Sequence, residues 1–249
     1  MTRPPRQPLA TRARRRGPPG LTAAQLEDLL AAWGELFSAR LGISLDGLDS
    51  AELFRWFLAS LLFGARISES VAVRTYRAFV EHGLTTPQTI ASADFGELLE
   101  VMGEGGYVRY DGITSRKVQE GARKLLDEYG GDLNRLHAAA RDSRDLEARL
   151  DGFRGVGPTT VGIFLRELRG LWPKASPPPG ELARLAASHL GFGDPLAFWQ
   201  ANSIPGYDFR NFEAALTRIG RDFCRRGHCS KAPLPHQPPR PGGARTSGA

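Results

Sequence analysis

The chain has 249 residues, 41% of them hydrophobic, enough to bury one large core or two modest ones. Its formal charge of +6 is unevenly placed: residues 1–20 hold Arg3, Arg6, Arg12, Arg14, Arg15 and Arg16 with no acid, and residues 230–249 hold Lys231, Arg240 and Arg245 with no acid. All 27 acidic side chains therefore fall in 21–229 against 24 basic ones, so the basicity sits in the tails, which attract polyanions without a shaped basic groove. No apolar run approaches the ~20 residues of a membrane span, and two cysteines exclude a disulfide framework. The Arg-rich start has the composition of an organellar targeting segment, but its prolines spoil an amphipathic helix. The expectation is a cytoplasmic protein without a membrane partner, nucleoid-associated if bacterial.

Strand alternation is nearly absent, and helical spacing with end signals recurs along the chain. Thr22 opens a capping box with Gln25 ahead of a helix over 23–40. Ser50 is placed to cap 51–63, where Leu53, Phe54, Trp56, Phe57, Leu58, Leu61, Leu62 and Phe63 leave hardly a polar face, so that helix should be central and buried. Ser68 caps 69–81, Asp94 starts 95–102, and Thr114 or Ser115 starts 116–129, which Gly130 ends. Helices at 132–141 and 144–150 follow, then 158–169, 181–190, 194–201 and 208–223. Proline and glycine break the chain at 173–180. Trp33, Trp56, Trp172 and Trp199 fall on apolar faces or helix ends and read as core, whereas His82 and His189 read as caps.

The most informative segment is Phe153-Arg154-Gly155-Val156-Gly157-Pro158-Thr159-Thr160-Val161-Gly162. Two glycines allow a tight turn, Pro158 suits a first helical turn, and the orphan N–H groups of the following helix favour an anion. With the short helix before it this is a helix-hairpin-helix, a device for gripping a DNA phosphate; the plain alternative is an ordinary corner between two helices. Tyr107, Arg109 and Tyr110 in the glycine-rich loop 103–112 either wedge into a duplex or plug the loop locally.

Three segments together resemble one family. Leu58-Ala59-Ser60-Leu61-Leu62-Phe63-Gly64-Ala65-Arg66, Tyr110-Asp111-Gly112-Ile113-Thr114-Ser115-Arg116-Lys117 and the hairpin are similar to motifs of the endonuclease III superfamily, the helix-hairpin-helix (HhH-GPD) DNA glycosylases of base excision repair. The resemblance covers roughly 25–235. Helical spacing already makes the class all-α and composition leaves 1–20 and 230–249 as disordered tails; the resemblance implies a two-lobed fold, a six-helix barrel from 46–164 holding the hairpin and a second helical lobe from 21–45 and 165–229. It implies a monomer bound to duplex DNA, damaged or abasic duplex included, with contacts from Arg154, Gly155, Val156, Gly157, Thr159 and Thr160 and from Arg66, Arg109 and Tyr110.

The same resemblance marks three departures. Bifunctional members carry a lysine where this chain has Thr159, and a hydroxyl cannot form the imine that leads to strand cleavage at abasic sites. The family's catalytic aspartate falls on Pro179 or Gly180, and its pocket glutamine on Ala65. The nearest groups able to stand in are Glu181, which equally suits the dipole of its helix, and Lys174. The family's iron–sulfur loop would need four thiolates, and only Cys224 and Cys229 exist. A zinc site from Cys224, His228, Cys229 and His236 has ligand-like residue types, but the adjacent positions 228 and 229 and the prolines argue against it, so no cofactor is expected. Three functions follow: a DNA-binding protein of the glycosylase class whose base excision is in doubt, an active monofunctional glycosylase rebuilt on Glu181 or Lys174, or a scaffold for a protein partner.

Overall fold

The computed structural model describes residues 21–228. Within them the chain is all-α: α1 (Ala23–Trp33), α2 (Ser50–Gly64), α3 (Glu69–Glu81), α4 (Pro87–Ser92), α5 (Phe95–Glu104), α6 (Asp111–Tyr129), α7 (Leu133–Ala139), α8 (Ser143–Asp151), α9 (Pro158–Arg166), α10 (Glu181–Leu190), α11 (Pro195–Asn202) and α12 (Phe209–Ile219). A 3-10 turn at Ala39–Leu41 and a π turn at Gly220–Cys224 complete the regular structure, and no strand occurs among the described residues. No described helix is long and apolar enough to cross a membrane.

Two separate cores make two lobes. The first runs from Phe37 to Ala175, with Ala214 added, and α2 is its axis. That helix buries Leu53, Phe54, Trp56, Phe57, Leu58, Ala59, Ser60 and Leu62, as its apolar sequence requires, each large side chain contributing about 1.5–3 kcal/mol on leaving water. Phe57 meets Phe153 and Phe164 edge-on at 5.4 Å, and the Trp56 indole N–H donates to the Phe164 carbonyl at 3.1 Å. The second core gathers α1, α10 and α12 around Phe212, with Trp199 and Phe198 stacked on it at 5.5 Å. Trp56, Trp172 and Trp199 are buried, and Trp33 packs against the second core with its ring edge-on to Phe223.

Several helix boundaries differ from the sequence pattern, each for a visible reason. α1 stops at Trp33 instead of running to 40 because distant side chains take up the backbone of 33–38: Arg218 donates to the carbonyls of Trp33 and Glu35, Asn211 to that of Gly34, and buried Glu167 accepts the N–H groups of Phe37 and Ser38 at 2.9 Å. The Arg166 and Arg218 guanidiniums lie over the Phe37 ring at 4.5 and 4.1 Å, so this crossing ties the lobes together. Burial and the nearby Arg40 lower the Arg218 guanidinium to a pKa of about 10. Asp49, rather than Ser50, caps α2, and Ser50 donates to Asp132. α6 starts at Asp111, earlier than 116, because Tyr110 takes a left-handed conformation with φ 68° and Ser115 turns inward toward the Leu98 carbonyl. α4 escaped the pattern although Thr86, Thr89 and Pro87 supply a full capping box.

Candidate nucleic-acid interface

The end of α2, the start of α6 and the α8–α9 hairpin converge because each position is sterically forced. A Cβ on Gly64 would run into the Thr160 hydroxyl, so only glycine lets α9 lie against the end of α2. Gly155 has φ +87°, and a Cβ there would strike the Lys117 stem, so the hairpin backbone rests directly on that side chain. Phe153 is buried beneath the turn, and its N–H donates to Leu150 while that of Val156 donates to Phe153.

Between these elements lies a groove of about 340 Å³ whose lining includes Ala65, Arg66, Tyr107, Tyr110, Ile113 and Lys117. Its walls are mostly apolar, no carboxylate or imidazole lines it, and neither Arg66 nor Lys117 has an acidic partner among the described residues. The Tyr107 and Thr114 hydroxyls bond to one another at 2.9 Å. Of the lining residues, Tyr110 is 58% and Ile113 53% exposed, two of the four exposed large hydrophobic residues among those described. Such a surface can hold an anion and stack a flat ring; it carries no acid–base pair.

The structure brings together Arg66, Tyr110 and Gly155, with Arg109 beside them, its guanidinium 5.1 Å from the Tyr110 ring centroid. Arg154 is exposed but held by Glu120 of α6 at 2.6 and 2.7 Å. Gly157 caps α9 without a side-chain hydrogen bond, and a Cβ there would meet nothing within 4 Å. Thr159 is exposed in the first turn, whereas Val156 and Thr160 are buried, so those two positions have only backbone to offer a ligand. Tyr107, 5% exposed, is the plug of its loop rather than a wedge.

Glu181 and Lys174 do not line the groove. Glu181 is exposed at the start of α10, where its charge suits the helix dipole. The Lys174 ammonium donates to the carbonyls of His137 at 2.7 Å and Ala140 at 2.5 Å, closing the C-terminus of α7. His137 stacks on Trp172 at 4.6 Å, and burial, then the Lys174 charge, pushes its imidazole below the ordinary histidine range. Glu213, missed from sequence, is the carboxylate found at Gly180: it reaches from α12, accepts the Gly180 N–H at 2.9 Å and pairs with Arg169 at 3.3 Å, buried throughout.

Lys117 and Ile113, which line the groove, were also missed as site residues. Ile113 had a signal, because it stands off the buried stripe of Ser115, Val118, Ala122 and Leu125 on an otherwise amphipathic α6. Cys224 is buried in the second core and His228 is exposed, while Cys229 and His236 lie outside the described residues, as do the two basic tails.

No family model matches the chain, and no curated protein matches it. Among solved structures it is similar to a trapped endonuclease III–DNA covalent intermediate in an estranged-adenine complex, 17% identical over 86% of this chain and 94% of that one, with a TM-score of 0.49.

Proposed function

We propose that this chain is a duplex-DNA-binding protein of the base-excision-repair glycosylase class that grips one backbone phosphate with its helix-hairpin-helix. The observation that carries the reading is the tip of the hairpin, where α9 begins at Gly157 without a side-chain cap, a Cβ added at Gly157 would meet nothing within 4 Å, and Thr159 is exposed in the same turn. Strand cleavage through an imine is not part of this reading, because Thr159 has no amine. Nor is an iron–sulfur cluster, because two thiolates cannot hold four irons. The ties that bind Lys174 and Glu213 into the fold favour binding over turnover. An exposed Glu181 leaves a monofunctional glycosylase as the second reading.

Gly157→Val tests the proposal cleanly, since φ at that position is −121° and the added side chain has room, so folding should survive. Losing hydrogen bonds to a charged phosphate should weaken duplex binding about tenfold or more in an anisotropy titration, with an unchanged melting temperature. Full duplex affinity in a folded Gly157→Val protein would make the hairpin a mere corner.

A further inference from the structure

The chain passes from the first lobe to the second through residues 173–180, and one small cluster fixes the start of that passage. The His137 ring, near the end of α7, lies flat on the buried Trp172 indole, with centroids 4.6 Å and planes 12° apart. The indole N–H donates to Asn134 Oδ1 at 3.2 Å, and the Asn134 amide donates to the Leu48 carbonyl at 2.9 Å, so the platform under the ring is itself held in place. Lys174, two residues on, sends its ammonium back to the carbonyls of His137 and Ala140. Imidazole, indole and ammonium are thus locked together, yet His137 Nε2 is buried without a hydrogen-bond partner.

A neutral imidazole tolerates that position and an imidazolium does not. Once charged, the ring carries a donor on both nitrogens, so the buried Nε2–H would have no acceptor. It would also stand beside an ammonium whose place is fixed by two carbonyls. The indole face attracts a cation, but it supplies neither the missing acceptor nor relief from Lys174. Burial first and the Lys174 charge second hold the imidazole below the ordinary histidine range. The other charged groups around α7 are committed elsewhere: Glu52 of α2 to Arg55, Glu128 of α6 to Lys124, and Asp145 of α8 to Arg141 and Arg149. At the far end of α7, Asp132 accepts the Ser50 hydroxyl and the Asn134 N–H, and Arg135 lies against Gly130.

We propose that His137, Trp172 and Lys174 form an acid-sensitive latch on the segment that joins the lobes: a proton on the imidazole breaks the stack, displaces the ammonium from the end of α7 and releases 173–180. With the ring neutral, the latch is shut. The sign follows from the preference of the fold for the uncharged ring. The unfolded chain takes up the proton near the ordinary value of 6.5 and the folded chain only at lower pH. Stability from the latch is therefore complete above 6.5 and is lost as pH falls through the folded value. The inference is independent of the duplex-binding reading.

The test melts the full chain and His137→Phe from pH 8 to pH 5. Phenylalanine keeps a flat ring on Trp172 and puts carbon where Nε2 has no partner, so the variant should match the parent within about 2 °C at pH 8. Between pH 7.5 and pH 5.5 the parent should lose about 3 °C more than the variant. Hydrogen exchange at pH 5.5, corrected for the intrinsic rate, should rise over 133–140 and 172–180 in the parent and keep its pH 7.5 protection in His137→Phe. Tryptophan emission of the parent should show a one-proton step below pH 6.5. Lys174→Met keeps the stem, deletes the charge and should move that step up toward 6.5, a result that does not depend on how well His137→Phe folds. Equal acid losses of melting temperature in the parent and His137→Phe would overturn the latch. So would a step at or above 6.5 in the parent, or a step without any rise in exchange over 172–180, because the proton would then leave the segment in place.

Discussion

Around the groove, charged and apolar groups are left uncommitted, whereas around the start of α10 nearly every polar group is spent on the fold. Arg66 and Lys117 face an acid-free lining, and Tyr110 and Ile113 of the same lining are more than half exposed. Across the molecule, Lys174 closes α7, Glu213 holds the Gly180 N–H and Arg169, Arg169 also donates to the Pro177 carbonyl, and Arg184 donates to that of Pro179. Burying Glu213 would be costly without these partners, so the set is a clamp on the proline-rich turn rather than a reserve of reactive groups. The contrast teaches that residue type alone does not mark a site. A lysine whose donors are saturated by carbonyls is a cap, and one facing an open groove is available to a ligand.

The contrast breaks most visibly at Lys174. Lys174→Ala should remove charge-assisted bonds at the end of α7, costing about 2 kcal/mol and lowering the melting temperature by roughly 4–8 °C, with duplex affinity kept within about twofold. A loss of DNA binding at unchanged stability would move Lys174 into the interface. Lys117→Met keeps the stem beneath Gly155 and deletes only the charge. Its log–log salt slope for duplex binding should flatten by about one, with melting nearly unchanged; an unchanged slope would take Lys117 off the phosphate path. Glu181→Gln should do least, a loss of about 0.5 kcal/mol from the helix dipole seen as a fall of under about 2 °C. Base release that disappears in this variant while binding persists would make Glu181 catalytic and the second reading correct.

Much of the fold was legible because its signals are local. Ser68 and Asp94 cap as their positions require, and Gly130 ends α6 in the left-handed region. The composition of α2 predicts its central burial. Of the candidate site, the sequence singled out Arg66, Tyr110 and Gly155, which come together at one groove. Lys117 was hidden because a lysine on an exposed helix face looks like every other solvated lysine, and only Gly155 pressed on its stem distinguishes it. Arg154 was visible as a cation, but its pairing with Glu120, 34 residues away, was not.

The amino-acid sequence by itself determined the helical class, most helix ends and the hairpin turn, because periodicity, caps and glycine φ act over a few residues. It also places a hydroxyl, not an amine, at Thr159 and supplies two thiolates, Cys224 and Cys229. Only the tertiary structure decided that α1 ends at Trp33, that Lys174 is a cap and that an acid-free groove opens beside the hairpin. The physical reason is range: the backbone at 33–38 is satisfied by Glu167 and Arg218, 130 and 185 residues distant in the bonds they make, and no local pattern encodes where such partners will land.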